Sequence, residues 1–282
     1  MSERSITLYG FGFTARAIAR RLSAEGWRVR ATSRSTGQAE AIAALGYEPV
    51  IADPSDVSDH AALQDAARAS DALVFCAPPG KDGDPFAPAL SSLDLSGTWL
   101  GYLSTTGVYG DRHGGWAFEY EATTPGQDRS IRRAEAEAHW LKHGARLFRL
   151  AGIYGPGRSA FDRLEADKTV FEKPGHVFSR IHVDDIAQAV SLALARPEVS
   201  GAFNLADDWP DTQPHVMTGA AEIAGLPGPR IEPFDPDNAS PMQASFYAEC
   251  RRVSNARAKA ALGWRPSYPS WREGLKAIWD QR

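Results

Sequence analysis

Ser5-Ile6-Thr7-Leu8-Tyr9-Gly10-Phe11-Gly12-Phe13-Thr14-Ala15 is the stretch on which the reading of the chain turns. Residues 5–9 read as a short strand. Ala15, Ile18, Ala19 and Leu22 then recur at i, i+3, i+4 and i+7 and share one helix face. A strand, a G-x-G-x-x-A turn and an amphipathic helix make the first half of a dinucleotide-binding unit. Gly10 permits the tight turn, Gly12 lets the backbone approach a pyrophosphate, and Ala15 lets helix and strand pack closely. Phe13 and Thr14 open the helix, where unpaired N–H groups face phosphate.

The alternation continues outward from this unit. The pattern predicts strands over 28–33, 47–52, 72–77, 99–104 and 146–151, with helices around Ala39, Ile42 and Ala43 and around Leu63, Ala66 and Ala67. Gly26 and Gly46 stand where the first two helices stop. The run 72–77 is continuously apolar, as a strand buried on both faces requires. Successive strand–helix units predict an α/β fold: a doubly wound Rossmann parallel sheet with helices on both faces. Beyond residue 155 the text changes. Residues 155–176 read as irregular and 207–241 as proline-rich, with helices over 183–194, 256–262 and 271–279. The expected division is 1–154 plus 180–206 for a Rossmann domain, and 155–179 plus 207–282 for a smaller C-terminal substrate lobe.

Composition narrows the class of function. The 282 residues carry a net charge of −4 and are 43% apolar, so there is no basic footprint for nucleic acid. Cys76 and Cys250 have no ligand spacing, which points to no metal and no disulfide framework. Residues 1–4 are too short and polar for a signal peptide, and no apolar run reaches membrane-spanning length. The expectation is a cytoplasmic protein with no membrane partner.

An NAD site usually places a carboxylate at the end of the second strand, where it accepts from the ribose 2′-OH. This chain has Thr32-Ser33-Arg34 there. A hydroxyl and a guanidinium suit a 2′-phosphate, so NADP(H) is favoured and NAD(H) stays open; the alternative is a solvated arginine in a surface turn. Asp53, after the third strand, is an expected adenine contact or simply a turn residue before Pro54.

Later stretches share one pattern. Leu103-Ser104-Thr105-Thr106-Gly107-Val108-Tyr109-Gly110, Arg149-Leu150-Ala151-Gly152-Ile153-Tyr154-Gly155-Pro156-Gly157-Arg158, Ile181-His182-Val183-Asp184-Asp185-Ile186-Ala187, and Asn255-Ala256-Arg257 followed by Leu262-Gly263-Trp264-Arg265-Pro266 occur in this order. They resemble the extended short-chain dehydrogenases/reductases, the NAD(P)-dependent epimerase/dehydratase superfamily. In that family a Ser/Thr, a Tyr and a Lys carry the chemistry. The resemblance puts Thr105 at the Ser/Thr position. It puts Arg129 and Arg133 where Tyr and Lys stand, four residues apart and ahead of Glu137. The chain is therefore similar to the atypical branch, which keeps the glycine motif and lacks the usual active-site residues. Cys76-Ala77-Pro78-Pro79-Gly80 replaces the family's Asn-Ala-Gly, and Ala77 and Pro78 are expected to border the cofactor, as is Arg133.

Candidate catalytic residues are thus Thr105 to orient an oxygen, Arg129 to polarise it, and Tyr109 as a substitute acid. Tyr154 and Arg158 are candidate substrate contacts. Arg129, Arg133, Arg158 and Arg180 as a group would favour an anionic substrate; Arg133 reads rather as a contact to the cofactor ribose and Arg180 as a surface or interdomain ion pair. His182 and Asp185 are assigned no chemistry. The expected function is an NADP(H)-dependent oxidoreductase or epimerase on an unknown small polar substrate. The competing reading is a non-catalytic NADP(H)-binding sensor. A homodimer stays open.

Overall fold

The computed structural model describes residues 4–166 and 169–282. Residues 1–3 of the polar start, and 167–168 of the expected lobe segment, lie outside them.

The chain begins β1 (Ser5–Tyr9), α1 (Phe13–Ala24), β2 (Arg28–Ser33), α2 (Thr36–Ala44), β3 (Glu48–Ile51), α3 (His60–Arg68), β4 (Ala72–Phe75), α4 (Ala87–Leu90) and β5 (Trp99–Thr105). It continues through β6 (Trp116–Ala117), α5 (Asp128–Lys142), β7 (Arg146–Leu150), β8 (Gly152–Tyr154), α6 (Ala160–Glu165), β9 (Val170–Glu172) and β10 (Arg180–His182). Last come α7 (Val183–Leu194), β11 (Ala202–Leu205), α8 (Gln213–Ala224), β12 (Ile231–Pro233), α9 (Pro241–Tyr247), β13 (Arg252–Val253), α10 (Ala256–Leu262) and α11 (Trp271–Trp279).

Seven strands form one sheet in the order β11-β7-β5-β4-β1-β2-β3. The pairs β1–β2, β1–β4, β2–β3 and β4–β5 are parallel. Strand order reverses beside β1, the topological switch point of a doubly wound sheet. This is the Rossmann arrangement expected from the strand–helix alternation.

Two compact units emerge. The first comprises 1–105, 128–149 and 187–203; the second comprises 106–127, 150–186 and 204–282. The segments 106–127, 150–154, 180–186 and 204–206 therefore fall in the second unit, although the sequence pattern groups them with the sheet.

The first unit is organised by its aromatic core. Tyr9, Leu73, Phe75, Phe86, Tyr102 and Trp140 are buried together. The Phe75 ring stacks on Trp140 with centroids 3.7 Å apart, which ties α5 to β4. The same helix buries an ion pair. Arg149 of β7 donates from Nε and Nη2 to the Glu137 carboxylate at 3.1 and 2.8 Å, both side chains being almost fully buried. Glu137 thereby fixes how far α5 slides along the sheet, and with it where the N-terminal turns of α5 stand.

The second unit has its own core of Tyr154, Phe161, Val216, Ala220, Trp271, Leu275 and Ile278, drawn from β8, α6, α8 and α11. Helix α8 lies in the stretch read as proline-rich. The Thr212 hydroxyl caps it, Pro214 falls in its first turn where no N–H is needed, and Gly225 closes it with φ +64°. The prolines mark its start rather than its absence. Asp185 is fully buried and accepts the backbone N–H groups of Ser267 and Tyr268 at 2.6 and 3.1 Å. Burial outweighs those bonds and pushes its pKa up to about 6.

Replacing Arg149 with Met leaves Glu137 buried without a partner and is expected to cost about 3–5 kcal/mol. The double change Arg149→Met with Glu137→Met should recover most of that loss in urea denaturation. A double variant as unstable as the single one would show that the pair itself, and not the stranded charge, sets the stability.

Candidate functional site

Three strand ends converge at Gly10. Its backbone N–H donates to the Thr32 hydroxyl of β2 at 2.8 Å. Tyr9, just before it, accepts the N–H groups of Cys76 and Ala77 beyond β4 through its carbonyl, at 2.9 and 3.2 Å. Gly10 has φ +95°, and a Cβ there would lie 3.2 Å from both the Ala77 backbone nitrogen and its methyl group. Glycine is thus required twice over, by conformation and by space.

Gly12 is different. It is the N-cap of α1 with φ −88°, a value any residue adopts, and a Cβ built on it meets nothing within 4 Å. No side chain caps the helix, and no acidic residue stands in its first turn. The fold does not need a glycine here. What the small residue leaves is open space against the uncapped, positive end of a twelve-residue helix, with the first N–H groups at Phe13 and Thr14. That is a fit for a pyrophosphate.

At the end of β2 the two expected phosphate contacts part company. The buried Ser33 hydroxyl donates to the Ser35 carbonyl at 2.7 Å and accepts the Ser35 N–H at 3.1 Å, so it shapes the turn into α2. Arg34 is exposed and makes no hydrogen bond or ion pair among the described residues. The Asp53 carboxylate accepts both the backbone N–H and the hydroxyl of Ser55. Those bonds, and in smaller part the charge of Arg34, hold its pKa below the ordinary carboxylate value. Ala77 is half-buried against Gly10, and Pro78 is exposed.

The far side of the unit carries α5. Its fifteen residues contain no tyrosine. Arg133 donates from Nη1 to the Leu103 carbonyl of β5 at 2.7 Å and to the Tyr102 hydroxyl at 3.2 Å. It is a fixed cation two residues from Thr105, the last residue of β5. Arg129, one helical turn earlier, is exposed.

The two candidate tyrosines belong to the second unit and are packing residues there. Tyr109 is fully buried and its hydroxyl donates to Asn204 Oδ1 at 2.7 Å, which corrects its reading as a free acid. Tyr154 is buried against His182 and covers Gly274 so closely that a Cβ there would come within 2.1 Å of the phenol oxygen. Burial raises the Tyr154 pKa well above its ordinary value. Its assignment as a substrate contact is corrected on the same ground. Arg180 is buried, donates to the Phe178 and Asp211 carbonyls and to Gln213, and is pushed down to about 10 by burial. Arg158 is exposed and closes a tight turn with Gly155 through reciprocal backbone bonds. Of the expected group of four arginines, Arg129 and Arg133 belong to the first unit and Arg158 and Arg180 to the second. His182 and Asp185 do not pair: the His182 Nδ1 accepts the Asp184 N–H.

Among the described residues no group of three His, Cys, Asp or Glu side chains could hold a metal ion, and no helix is long and apolar enough to cross a membrane.

The fold is shared with solved epimerase/dehydratase-type structures, among them a putative NAD-dependent epimerase/dehydratase from Methylobacillus flagellatus, with a TM-score of 0.78 at 24% identity over 99% of both chains. By sequence the chain belongs to one family with a functionally unknown conserved protein from Silicibacter pomeroyi, which is 40% identical over 99% of both chains with a TM-score of 0.89. A human epimerase family protein solved with NADPH has the same fold, with a TM-score of 0.77 at 16% identity over 99% of this chain and 100% of that one. A Streptomyces 3-diazoavenalumate denitrifying reductase is 33% identical over 168 residues, 55% of this chain and 55% of that protein. The match thus spans about half the length of the curated relative. No family model matches the chain.

The contrast between the two glycines is measurable. Gly10→Ala is expected to destabilise the protein by about 1–3 kcal/mol, the cost of a strained backbone position. Gly12→Ala should cost no more than about 1 kcal/mol, that of a lost N-cap preference. Equal losses in urea denaturation would contradict the assignment of Gly10 to the fold and Gly12 to a ligand.

Proposed function

We propose that the protein is an NADP(H)-dependent reductase that works without a tyrosine acid. The observation that carries this reading is the open, uncapped start of α1 at Gly12, beside an exposed and unpaired Arg34. When bound, NADPH supplies a hydride. The residues that would hold it are Gly12, Phe13 and Thr14 at the pyrophosphate, Arg34 at the 2′-phosphate, and Ala77 and Pro78 beside β4. A carboxylate at position 34 would repel a 2′-phosphate, whereas a guanidinium forms bidentate, charge-assisted bonds to it. Arg34 carries this preference without Ser33, whose hydroxyl is already used in the turn.

Arg133 holds its positive charge at the end of β5 through the Leu103 carbonyl. Arg129 offers guanidinium N–H donors to an oxyanion in place of a phenol. The hydroxyl of Tyr9 donates to the Leu63 carbonyl, and that of Tyr102 receives Arg133. Neither is a substitute acid. The substrate therefore either takes its proton from water or needs none. The name of the Streptomyces relative joins reduction to loss of nitrogen from a diazo compound. Where the diazo group reacts as an aryl diazonium, the C–N bond breaks with loss of dinitrogen and hydride forms the C–H bond in its place, which consumes no proton, so arginines suffice where Tyr and Lys act in other proteins of this fold. A small polar substrate reduced in this manner is the reading we favour over epimerisation, which needs the same hydrogen removed and returned.

Cofactor choice is tested by titrating NADPH, NADP⁺, NADH and NAD⁺ in a thermal-shift assay, with binding constants from fluorescence. Arg34→Asp is expected to weaken NADPH about ten- to a hundredfold, as loss of a charge-assisted contact of about 1.5–3 kcal/mol implies. NADH affinity should hold or improve. Equal loss of both would remove the 2′-phosphate assignment, and no shift with any of the four would remove the dinucleotide. NADPH binding with no turnover of any electrophile would favour the sensor.

A further inference from the structure

Helix α5 carries Arg129, Arg132 and Arg133 within five residues. At about 100° per residue the three fall within about 100° of arc on the helix, so their guanidiniums share one side. In a chain of net charge −4 these three cations have no compensation. None forms a salt bridge among the described residues. Glu137, one turn beyond Arg133, is taken by Arg149. Asp128 and Glu135, the other acids on this part of the helix, form no ion pair with them. Like charges at i, i+3 and i+4 destabilise a helix by about 0.2–0.5 kcal/mol per pair, and the N-terminal turn is already the positive end of the helix dipole. The arrangement works against the stability of α5 unless something anionic sits on it.

Two details show donors left open. The Nε of Arg132 is buried with no hydrogen-bond partner, an arrangement that costs free energy unless a ligand or water completes it. Arg133 uses only Nη1, toward Leu103 and Tyr102, so that anchoring leaves its Nε and Nη2 without a hydrogen bond among the described residues. The buried face of α5 runs through Trp140, Glu137, Ala136 and Ser130. Arg133 is half-buried beside it, anchored at the end of β5, and Arg129, one turn nearer the helix start and about 6 Å along the axis, is exposed.

We infer that Arg129, Arg132 and Arg133 form a binding site for an oxyanion carried by the substrate, a carboxylate or a phosphate ester, in place of a proton-transferring pair. The inference deepens the proposed function by naming the substrate class, and it rests on that reading only in taking this end of β5 to be where substrate is held. The sequence pattern points to arginines here, but it groups them with Arg158 and Arg180 and omits Arg132; the buried Nε of Arg132 identifies the third member.

The test uses the full chain, first without cofactor. Benzoate and phenyl phosphate are the probes, with benzamide as the neutral control and chloride at matched ionic strength. Calorimetric titration should show saturable binding of one or both anions and none of benzamide; the tighter anion names the oxyanion. The variant Arg129→Gln with Arg132→Gln, which removes no hydrogen bond or ion pair among the described residues, should fold as judged by circular dichroism and lose at least tenfold in anion affinity. Its NADPH affinity should stay within about threefold of the original, as for residues outside the cofactor contacts. Arg129→Lys should recover part of the anion binding. Unchanged anion affinity in the double variant, displacement by chloride as strong as by benzoate, or a parallel loss of NADPH affinity would each overturn the inference. Anion binding by a chain that binds no dinucleotide would overturn the proposed function and leave this site standing.

Discussion

The bond from the Gly10 N–H to the Thr32 hydroxyl, made in a left-handed turn packed on Ala77, is the constraint on which the binding half of the molecule depends. It joins the ends of β1, β2 and β4 in one place. With the turn held that tightly, α1 starts at Gly12, where no side chain caps it. A side chain at Gly10 would separate β1 from the loop after β4 and move the helix start with it. Gly12 carries no such duty, and the open space beside it is the mark of a ligand position rather than a packing position.

The opposite edge of the sheet is held by a different device. The buried pair of Glu137 with Arg149 fixes α5 against β7, while Trp140 stacks on Phe75. Both contacts lie in the middle and last turns of the helix. The first turns carry Arg129, Arg132 and Arg133, and Arg133 is anchored on the Leu103 carbonyl near the end of β5. A guanidinium does not release a proton near neutral pH, yet it binds and orients oxyanions well. The scaffold that positions these arginines is the same buried pair and ring stack, so their placement does not depend on any ligand.

Legibility differed from element to element for physical reasons. The sheet strands were readable because β4 is buried on both faces and its text is unbroken Ala-Leu-Val-Phe. Helix α7 was readable because its apolar residues keep a helical period. Helix α8 was hidden by Pro210 and Pro214, although Thr212 and Gly225 frame it, because proline is harmless only in the first turn and the sequence does not say which turn that is. Tyr109 and Tyr154 stood in loops beside recognised motifs, which made them resemble reacting groups. Only packing shows that one is bonded to Asn204 and the other pressed on Gly274. Ser33 was misread in a smaller way: its position suits a phosphate, but its hydroxyl turns back to Ser35.

By itself the sequence determined the fold class, the glycine turn, the likeness to extended short-chain dehydrogenases/reductases, and the absence of tyrosine from residues 128–142. These are matters of local pattern and spacing, which a linear text records. Tertiary structure alone decided that Gly10 serves the fold while Gly12 faces open space, that Arg34 is unpaired while Arg180 is buried and bonded, and that Arg132 completes the arginine cluster on α5. Each of those depends on which atoms from distant parts of the chain come within hydrogen-bonding or van der Waals reach, and that distance is set by packing, not by sequence order.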